Sequence, residues 1–329
     1  ISGDLDMSNL FTATPSGNTG TGYVRVYDYN GSAWVQVGGE IGAEAAHDFF
    51  GASVSLSSDG SKLAIGAPGY DGNTNYSVVG NVRIFQYQVI SGTATWTQLG
   101  PNIVGEADTD TSGWHLSLSS DGSRVAISAW NNDGNGTNSG HVRVYDYNGS
   151  AWAQVGADID GEAAYDNFGI DTSLSSDGSR VAIGAYRNGS NDSGHVRIYQ
   201  YNNNSWSQLG ADINGEAAGD ESGYSVSLSS DGSRVAIGSG HNDGNGSNSG
   251  HVRIYDYNGS AWVQVGADID GEAAGDYGGW SVSLSSDGSR VAIGANNNDG
   301  NGSNSGHVRI YQYNNNSWSQ LGADIDGED

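Results

Sequence analysis

A short motif that returns at a nearly fixed interval is the strongest constraint on the fold of this chain. The signature Trp-x-Gln-x-Gly begins at Trp34, Trp96, Trp152, Trp206, Trp262 and Trp318. The intervals between these tryptophans are 62, 56, 54, 56 and 56 residues. A period of this size indicates repeated supersecondary units that bury their apolar faces against their neighbours. We therefore expect one repeat domain over residues 1–329, because a ring of repeats avoids the size limit of a single core.

Each unit is predicted to contain four short antiparallel strands. In the last unit, strand A spans 280–285, strand B 290–295, strand C 307–313 and strand D 318–321. Asp287-Gly288 offers the positive φ angles of a tight hairpin between strands A and B. Four antiparallel strands followed by a linker predict an all-β fold, a β-propeller of four-stranded blades. Six blades are expected, with approximate bounds 1–47, 48–110, 111–166, 167–220, 221–276 and 277–329. Seven blades stay open if further sequence exists beyond this chain.

The first unit is incomplete at its beginning. Strands C and D are clear within residues 23–37, and residues 9–14 are predicted as strand B. Strand A is either a degenerate segment within residues 1–8 or missing. Since a ring usually closes by one terminus completing the blade of the other, the tail at 322–329 is expected to run back towards the first blade.

Two segments of the second unit resemble a known repeat family. They are Phe50-Gly-Ala-Ser-Val-Ser-Leu-Ser and, at 63–68, Leu-Ala-Ile-Gly-Ala-Pro. Both resemble the FG-GAP repeat of integrin-α-like propellers. The resemblance implies a β-propeller, usually extracellular and often used in adhesion or ligand binding, commonly with seven blades. Many members carry a calcium loop of the form DxDxDG between strands A and B, whereas this chain has Ser-Ser-Asp-Gly-Ser, which is typical of a plain hairpin.

The overall composition excludes several classes of partner. The formal net charge of −26 argues against binding to nucleic acid and to anionic membrane surfaces. No apolar run reaches the length of a membrane-spanning segment, so membrane insertion is not expected. The absence of cysteine excludes disulfides, thiolate metal sites and cysteine nucleophiles. Residues 1–10 lack a basic start and an apolar core, so we see no signal peptide there.

The loops between strands B and C contain candidate calcium ligands. Oxygen-bearing side chains alternate with glycine in three of them, at Asp133 and Asn135, Asp243 and Asn245, and Asp299 and Asn301. This alternation resembles the beginning of a calcium loop, although the later bidentate glutamate is missing. Ordinary turn chemistry favours the same residues. Calcium therefore stays open as a cofactor, beside the simpler interpretation of these loops as turns.

The linkers between units carry a repeated pair of acids. Each pair places an aspartate four residues after a glutamate, at Glu44/Asp48, Glu106/Asp110, Glu162/Asp166, Glu216/Asp220 and Glu272/Asp276. The topology of a four-stranded blade brings these linkers and the B–C loops to one face. We expect this acidic linker face to carry a strong negative charge.

Most cationic and aromatic residues recur in register with the repeat and are interpreted as structural. One cation begins strand B in each complete unit and one arginine lies inside strand C, which accounts for all the cations except Arg187. We expect these cations to pair with linker carboxylates or to stack on Tyr or Trp. The repeated tryptophans are expected to anchor strand D. His47, His115 and His241 lie outside the repeat pattern, and no carboxylate stands at a recognisable catalytic spacing from them.

Asn-x-Ser/Thr sequons are frequent in the predicted loops. They begin at Asn30, Asn75, Asn135, Asn148, Asn188, Asn191, Asn203, Asn245, Asn258, Asn301 and Asn315. Together with the family resemblance they favour a secreted, N-glycosylated protein, although a composition rich in Asn and Ser also produces sequons by chance.

These observations lead to a functional expectation. The chain is expected to be a non-enzymatic extracellular or cell-surface module for structure or adhesion. Its expected partners are other extracellular or cell-surface proteins, or glycans, within a surface or filamentous assembly. The alternative is a calcium-dependent, lectin-like propeller that binds carbohydrate or another ligand. An enzyme would need a cluster of residues found in one place alone, and no such cluster is visible in the repeats.

Overall fold

The computed structural model describes residues 11–13, 22–71, 78–188 and 191–328. Two compact units divide the chain, Ile1–Asp160 and Gly161–Asp329. The described residues contain strands and turns and no helix, so none of them forms a helix able to cross a membrane. The prediction of an all-β fold is confirmed, while that of a single domain over the whole chain stays a prediction.

The first unit contains three antiparallel sheets. The first sheet has β1 (Phe11–Ala13), β2 (Tyr23–Tyr29), β3 (Trp34–Gln36) and β4 (Ile41–Gly42). The second has β5 (Val54–Leu56), β6 (Lys62–Ala67), β7 (Asn81–Ile90), β8 (Thr93–Gln98) and β9 (Ile103–Val104). The third has β10 (Leu116–Leu118), β11 (Arg124–Ala129), β12 (His141–Tyr147), β13 (Trp152–Gln154) and β14 (Ile159–Asp160).

The second unit repeats the same architecture in three more sheets. The fourth sheet has β15 (Thr172–Leu174), β16 (Arg180–Ala185), β17 (His195–Asn202), β18 (Ser205–Gln208) and β19 (Ile213–Asn214). The fifth has β20 (Ser225–Leu228), β21 (Arg234–Ser239), β22 (His251–Tyr257), β23 (Trp262–Gln264) and β24 (Ile269–Asp270). The sixth has β25 (Gly278–Leu284), β26 (Arg290–Ala295), β27 (His307–Asn314), β28 (Ser317–Gln320) and β29 (Ile325–Asp326).

Each sheet is a propeller blade. Strands A, B, C and D pair in chain order in the second to sixth blades, and the first blade has strands B, C and D among the described residues. The predicted bounds agree closely with the structure; strand B of the sixth blade is Arg290–Ala295, as predicted. The prediction of strand B near residues 9–14 is confirmed, because β1 pairs antiparallel with β2. Strand A of the first blade was predicted within residues 1–8, which lie outside the described residues. The fold class is thus a β-propeller built of six blades.

A fifth, two-residue strand was not predicted. After strand D of the fifth blade the chain turns at Gly266, whose φ is 77°, and the counterpart glycines of the other blades have φ between 72° and 83°. The linker then pairs Ile269 with Val252 and Asp270 with His251. Strand C is therefore covered by strand D along one half and by the linker along the other. A strand of two residues shows no alternation of apolar and polar residues, so the sequence pattern cannot reveal it.

The turn between strands A and B differs from the predicted hairpin. In the sixth blade only Gly288, and not Asp287, has a positive φ angle. The Ser285 N–H donates to the Arg290 carbonyl at 2.9 Å, which leaves four residues in the loop. The Asp287 carboxylate accepts hydrogen bonds from the Ser285 hydroxyl at 2.7 Å and the Ser289 N–H at 2.9 Å. The longer loop needs the left-handed conformation at a single residue, which glycine supplies.

The hydrophobic core lies between consecutive blades. In the second unit Val252, Ile254 and Ile269 of the fifth blade pack against Val282 and Ile293 of the sixth. The first unit has an equivalent cluster between its second and third blades. Each sheet is too thin to bury its apolar side chains alone, so stability depends on the contact between neighbours.

Candidate functional site

The strand C arginines form a repeated ion-pair ladder with the linker carboxylates. Arg309 contacts Glu272 from the linker before its blade and Asp324 from the segment after strand D, the latter at 3.1 Å. Equivalent pairs join Arg143 to Glu106 and Asp158, Arg197 to Glu162 and Asp212, and Arg253 to Glu216 and Asp268. The prediction that these arginines pair with linker carboxylates is confirmed, and a contact present in several blades is scaffold rather than a site.

A buried histidine begins strand C beside these ion pairs. One nitrogen of the histidine and one oxygen of each carboxylate lie within 4.8 Å of one another in four groups: Glu106/His141/Asp158, Glu162/His195/Asp212, Glu216/His251/Asp268 and Glu272/His307/Asp324. This donor set resembles a metal site, but the neighbouring guanidinium already neutralises the carboxylates and would repel a cation. Burial lowers the pKa of His141, His195 and His251, so these imidazoles are uncharged near neutral pH.

The acidic linker face divides into two kinds of carboxylate. The glutamates of the ladder remain partly exposed, whereas the aspartates are buried: Asp48, Asp110, Asp166, Asp220 and Asp276. Asp276, for example, accepts the Ala273 N–H at 3.1 Å and the Asn298 side-chain amide at 3.0 Å. In the third, fifth and sixth blades the aspartates therefore hold the linker and the B–C loop together. A binding role for this face stays a prediction.

The candidate calcium ligands take part in hydrogen bonds within their loops. One carboxylate oxygen of Asp133, Asp243 and Asp299 accepts the N–H of the residue five positions later, at 2.7–2.8 Å. The Asn301 amide donates to the Gly327 carbonyl at 2.9 Å, and Asn245 makes the corresponding bond to Gly271. None of the carboxylate–histidine groups found among the described residues includes these side chains or Asn135. Calcium binding in these loops stays a prediction.

The sequon asparagines lie mainly at the surface. Asn188 is half-buried, and the remaining described members are exposed: Asn30, Asn135, Asn148, Asn191, Asn203, Asn245, Asn258, Asn301 and Asn315. Asn75 lies outside the described residues. Several also cap turns; the Asn30 side-chain oxygen accepts the Ser32 and Ala33 N–H groups at 3.0 Å. Glycosylation at these positions stays a prediction.

Four positions per blade depart from the repeat, and all flank the linker end of strands A and B. The first follows the buried linker aspartate, as Phe49, Thr111, Asn167, Glu221 and Tyr277. The second lies three residues later, as Ala52, Trp114, Ile170, Tyr224 and Trp280. The third and fourth follow strand B, as Pro68-Gly69, Trp130-Asn131, Tyr186-Arg187, Gly240-His241 and Asn296-Asn297. When blades share one scaffold, such positions are where one blade acquires chemistry that the others lack.

In the second unit these variable positions bring a carboxylate and an imidazole together. His241 Nδ1 lies 3.1 Å from Glu221 Oε2, and both side chains are partly buried. The sequence interpretation of His241 as lacking a carboxylate partner is wrong, because the linker and the end of strand B meet in the folded blade although they are twenty residues apart. Burial raises the pKa of Glu221, and His241 opposes that rise.

Aromatic rings surround this pair. The Tyr224 ring lies 5.6 Å from the Tyr186 ring and 4.4 Å from the Trp280 ring. His241 makes an edge contact with the Tyr277 ring at 5.1 Å and lies 6.3 Å from the Trp280 ring. We call Tyr186, Glu221, Tyr224, His241, Tyr277 and Trp280 the rim cluster. Its rings come from three consecutive blades. Glu221 and His241 lie within the distance at which an acid–base pair acts.

The rim cluster is partly exposed to solvent. Tyr186 is buried, whereas Tyr224, Tyr277 and Trp280 are half-buried. Arg187 is exposed and its guanidinium lies 5.1 Å from the Tyr186 ring. Burial raises the pKa of both Tyr186 and Tyr224, so these hydroxyl groups stay protonated near neutral pH. Half-buried aromatic rings beside a few polar groups are a usual lining of small-molecule sites.

Comparison with protein families supports the resemblance found in the sequence. Residues 268–311 match the model of the FG-GAP repeat. This segment contains strands A and B and most of strand C of the sixth blade, so the resemblance is confirmed there. No curated protein matches the sequence.

Three solved structures with a similar fold carry the names of enzymes. The periplasmic gluconolactonase of Pseudomonas aeruginosa matches with a TM-score of 0.60 and 16% identity, over 95% of this chain and 82% of its own. Hydrazine synthase of Kuenenia stuttgartiensis matches with a TM-score of 0.58 and 14% identity, over 93% and 74%. A putative 6-phosphogluconolactonase from Bacteroides uniformis matches with a TM-score of 0.52 and 10% identity, over 98% of both chains. At these identities the likeness shows the fold alone.

The expectation of a non-enzymatic structural or adhesion module is corrected. It took the fold as evidence for contact functions, whereas these structures of the same fold are of enzymes. It also supposed that no residue cluster was particular to one place. The rim cluster contradicts that supposition, because Glu221 and His241 occupy positions held by different residues in the other blades.

Proposed function

We propose that this FG-GAP-repeat propeller is a hydrolase of neutral, sugar-derived lactones that acts at the rim cluster. The observation that carries the proposal is the 3.1 Å contact between Glu221 and His241 beside a continuous row of aromatic rings. A carboxylate that holds an imidazole in one orientation is a recurrent arrangement for general base catalysis.

The pair supplies the proton transfers that lactone hydrolysis needs. Glu221 Oε2 lies 3.1 Å from Nδ1 of His241. In the proposed mechanism the carboxylate holds the proton on Nδ1, which leaves Nε2 as the basic nitrogen. Nε2 takes a proton from water while the water oxygen bonds to the lactone carbonyl carbon. The ring carbon–oxygen bond then breaks, and Nε2 returns the proton to the departing ring oxygen. One lactone and one water give one hydroxy acid, with no further reactant.

The surroundings of the pair favour a neutral ring as substrate. Aromatic faces at Tyr224, Tyr277 and Trp280 can pack against the C–H face of a sugar-derived ring, while the tyrosine hydroxyls offer hydrogen bonds. The net charge of −26 repels anions at long range. Of the two lactone classes named for the similar structures, the uncharged gluconolactone therefore suits this chain better than its phosphorylated counterpart.

A hydrolysis assay tests the proposal directly. The purified chain is incubated with glucono-δ-lactone and, separately, with its 6-phosphate, and acid release is followed in a pH-stat against the uncatalysed rate. We expect faster release with the neutral lactone, and a loss of that activity in His241→Gln at unchanged circular dichroism. Hydrolysis at the uncatalysed rate for both compounds, or an undiminished rate in His241→Gln, overturns the assignment.

An extracellular location and N-glycosylation remain part of the proposal. They are supported by the exposure of most sequon asparagines in the described residues. Intact mass of protein purified from its native source, before and after glycosidase treatment, tests both. An unchanged mass that equals the polypeptide mass argues against them.

A further inference from the structure

Arg187 is the one cation of the chain that departs from the two repeated positions. The strand C arginines of the same unit, Arg197, Arg253 and Arg309, each contact two carboxylates and serve the scaffold. Among the described residues, by contrast, no carboxylate forms an ion pair with the Arg187 guanidinium, which lies against the Tyr186 ring instead. The ion-pair ladder therefore does not account for this arginine.

Arg187 and His241 occupy the same place in neighbouring blades. Strand B ends at Ala185 in the fourth blade and at Ser239 in the fifth, and each of the two basic residues is the second residue after that end. The counterparts in the second, third and sixth blades are Gly69, Asn131 and Asn297, none of which is basic. The fold thus brings two basic side chains to equivalent edges of two consecutive blades.

The linker that carries Glu221 lies between these two edges. On one side the N–H groups of residues 219, 221 and 222 donate to the carbonyls of residues 191, 192 and 193, in the B–C loop of the fourth blade, at 2.9, 3.2 and 3.0 Å. On the other side Glu221 Oε2 lies 3.1 Å from His241 Nδ1. Burial raises the pKa of Glu221, and the charges of His241 and Arg187 both oppose that rise, as expected of a carboxylate placed between them.

The aromatic rings of the rim cluster connect Arg187 with His241. The Arg187 guanidinium lies 5.1 Å from the Tyr186 ring, and that ring lies 5.6 Å from the Tyr224 ring. The Tyr224 ring lies 4.4 Å from the Trp280 ring, which in turn lies 6.3 Å from the His241 imidazole. One end of this row therefore carries the acid–base pair, and the other end carries a guanidinium.

A guanidinium at this place suits a ligand rich in hydroxyl groups. It offers five N–H donors in a planar fork and no acceptor, so two neighbouring hydroxyl oxygens can accept from it together. A sugar-derived lactone carries such hydroxyl groups on the ring carbons away from its carbonyl. The charges of Glu221 and Asp192 act on the same region, and with the net charge of −26 they disfavour a further anion there.

We propose that Arg187 is a specificity-determining residue of the rim cluster, which donates hydrogen bonds to the hydroxyl groups of a lactone whose carbonyl lies at His241. This assignment rests on the proposed function and names what the site selects, namely a polyhydroxylated ring over a plain one. The hydroxyl groups take no part in the bond changes, so the contact is made equally in the bound substrate and in the transition state. It therefore lowers KM and leaves kcat unchanged.

Steady-state kinetics of Arg187→Gln test the assignment. For glucono-δ-lactone we expect KM to rise at least about tenfold while kcat stays within about twofold. For δ-valerolactone, which has the same ring without hydroxyl groups, kcat/KM should stay unchanged. Arg290→Gln removes the same charge at the opposite end of a strand B and should alter neither reaction. An unchanged KM for glucono-δ-lactone, an equal loss with both lactones, or a fall in kcat at constant KM overturns the assignment.

Binding of a substrate analogue separates this assignment from the hydrolase proposal. Glucono-δ-lactam keeps the ring and the hydroxyl groups but resists hydrolysis, and its affinity is measured by isothermal titration. We expect Arg187→Gln, at an unchanged melting temperature, to bind the lactam at least about tenfold more weakly than the wild type or Arg290→Gln. Lactam binding of this kind without lactone hydrolysis would refute the hydrolase and keep the role of Arg187. Lactone hydrolysis with equal lactam affinities, or no lactam binding by the wild type, overturns the role of Arg187.

Discussion

The indole N–H of Trp152 donates a hydrogen bond of 2.8 Å to the backbone carbonyl of Leu99, which belongs to the preceding blade. The same latch joins Trp96 to Val37, Trp262 to Leu209 and Trp318 to Val265. The sequence predicts that these tryptophans anchor strand D in each blade. They do stack on a tyrosine of their own strand C, but the polar end of each of these rings fastens one blade to the one before it.

Trp152→Phe is expected to destabilise the fold by about 1–3 kcal/mol, because it leaves the Leu99 carbonyl without its donor at a partly buried position. Chemical denaturation with a matched m-value measures the change. Trp34→Phe is the control: Trp34 is 41% exposed, so its replacement should cost less than about 0.5 kcal/mol. Equal losses in the two variants would contradict the latch.

Gly238→Ala and Gly294→Ala make the same change at the same place in neighbouring blades. The first puts a Cβ 2.0 Å from the Gly279 carbonyl oxygen and should cost about 1–3 kcal/mol or more, because the next linker must move. The second puts its Cβ 3.6 Å from Ser281 of its own blade, an ordinary contact distance, and should be nearly neutral. Melting temperatures of both variants test this difference in stability. Similar values would mean that neighbouring blades can move apart to accept the new Cβ.

Stability is expected to fall as the pH decreases from about 7 towards 5. Burial lowers the pKa of His141, His195 and His251 below the ordinary value of 6.5. Between the two pKa values the unfolded chain binds protons that the folded chain does not, so the stability present above pH 6.5 is lost as the pH falls. The second blade carries Asn81 at this position. A triple His→Asn variant should therefore lose less stability across this range, as measured by urea unfolding; an unchanged pH dependence would contradict the assignment.

The lactonase activity should decline on the acid side of its pH profile as Glu221 becomes protonated. Burial raises the pKa of Glu221, so this decline should begin above the pH at which an exposed glutamate titrates. Glu221→Gln should lower kcat/KM by about 10²- to 10⁴-fold and remove that part of the profile. Asp28→Asn, an exposed acid in β2, controls for the change in net charge and should leave the profile intact. A profile in Glu221→Gln of the wild-type shape would exclude Glu221 from proton transfer.

Most repeated features were predictable from the sequence, apart from the two-residue linker strand and the form of the A–B turn, whereas the features confined to one blade were not. Strand B at Arg290–Ala295 and the ion pairs of Arg309 follow from alternation and from charges repeated in register. The contact of Glu221 with His241 depends on how a linker lies against the end of a neighbouring strand. The number of residues between them in the sequence does not predict this contact. A usable signal did exist: alignment of the units shows that Glu221, His241 and Trp280 occupy positions where the repeats disagree.

The glycine pairs that let one blade rest on the next also bear on how such a chain changes its length. Gly184 meets Gly223, and Gly238 meets Gly279, in the same geometry. A gene duplication that adds one whole unit therefore creates a junction whose two surfaces already fit. A deletion of one whole unit likewise brings together two surfaces that fit. Such a change would alter the surroundings of Glu221 and His241, because the residues around them come from particular units.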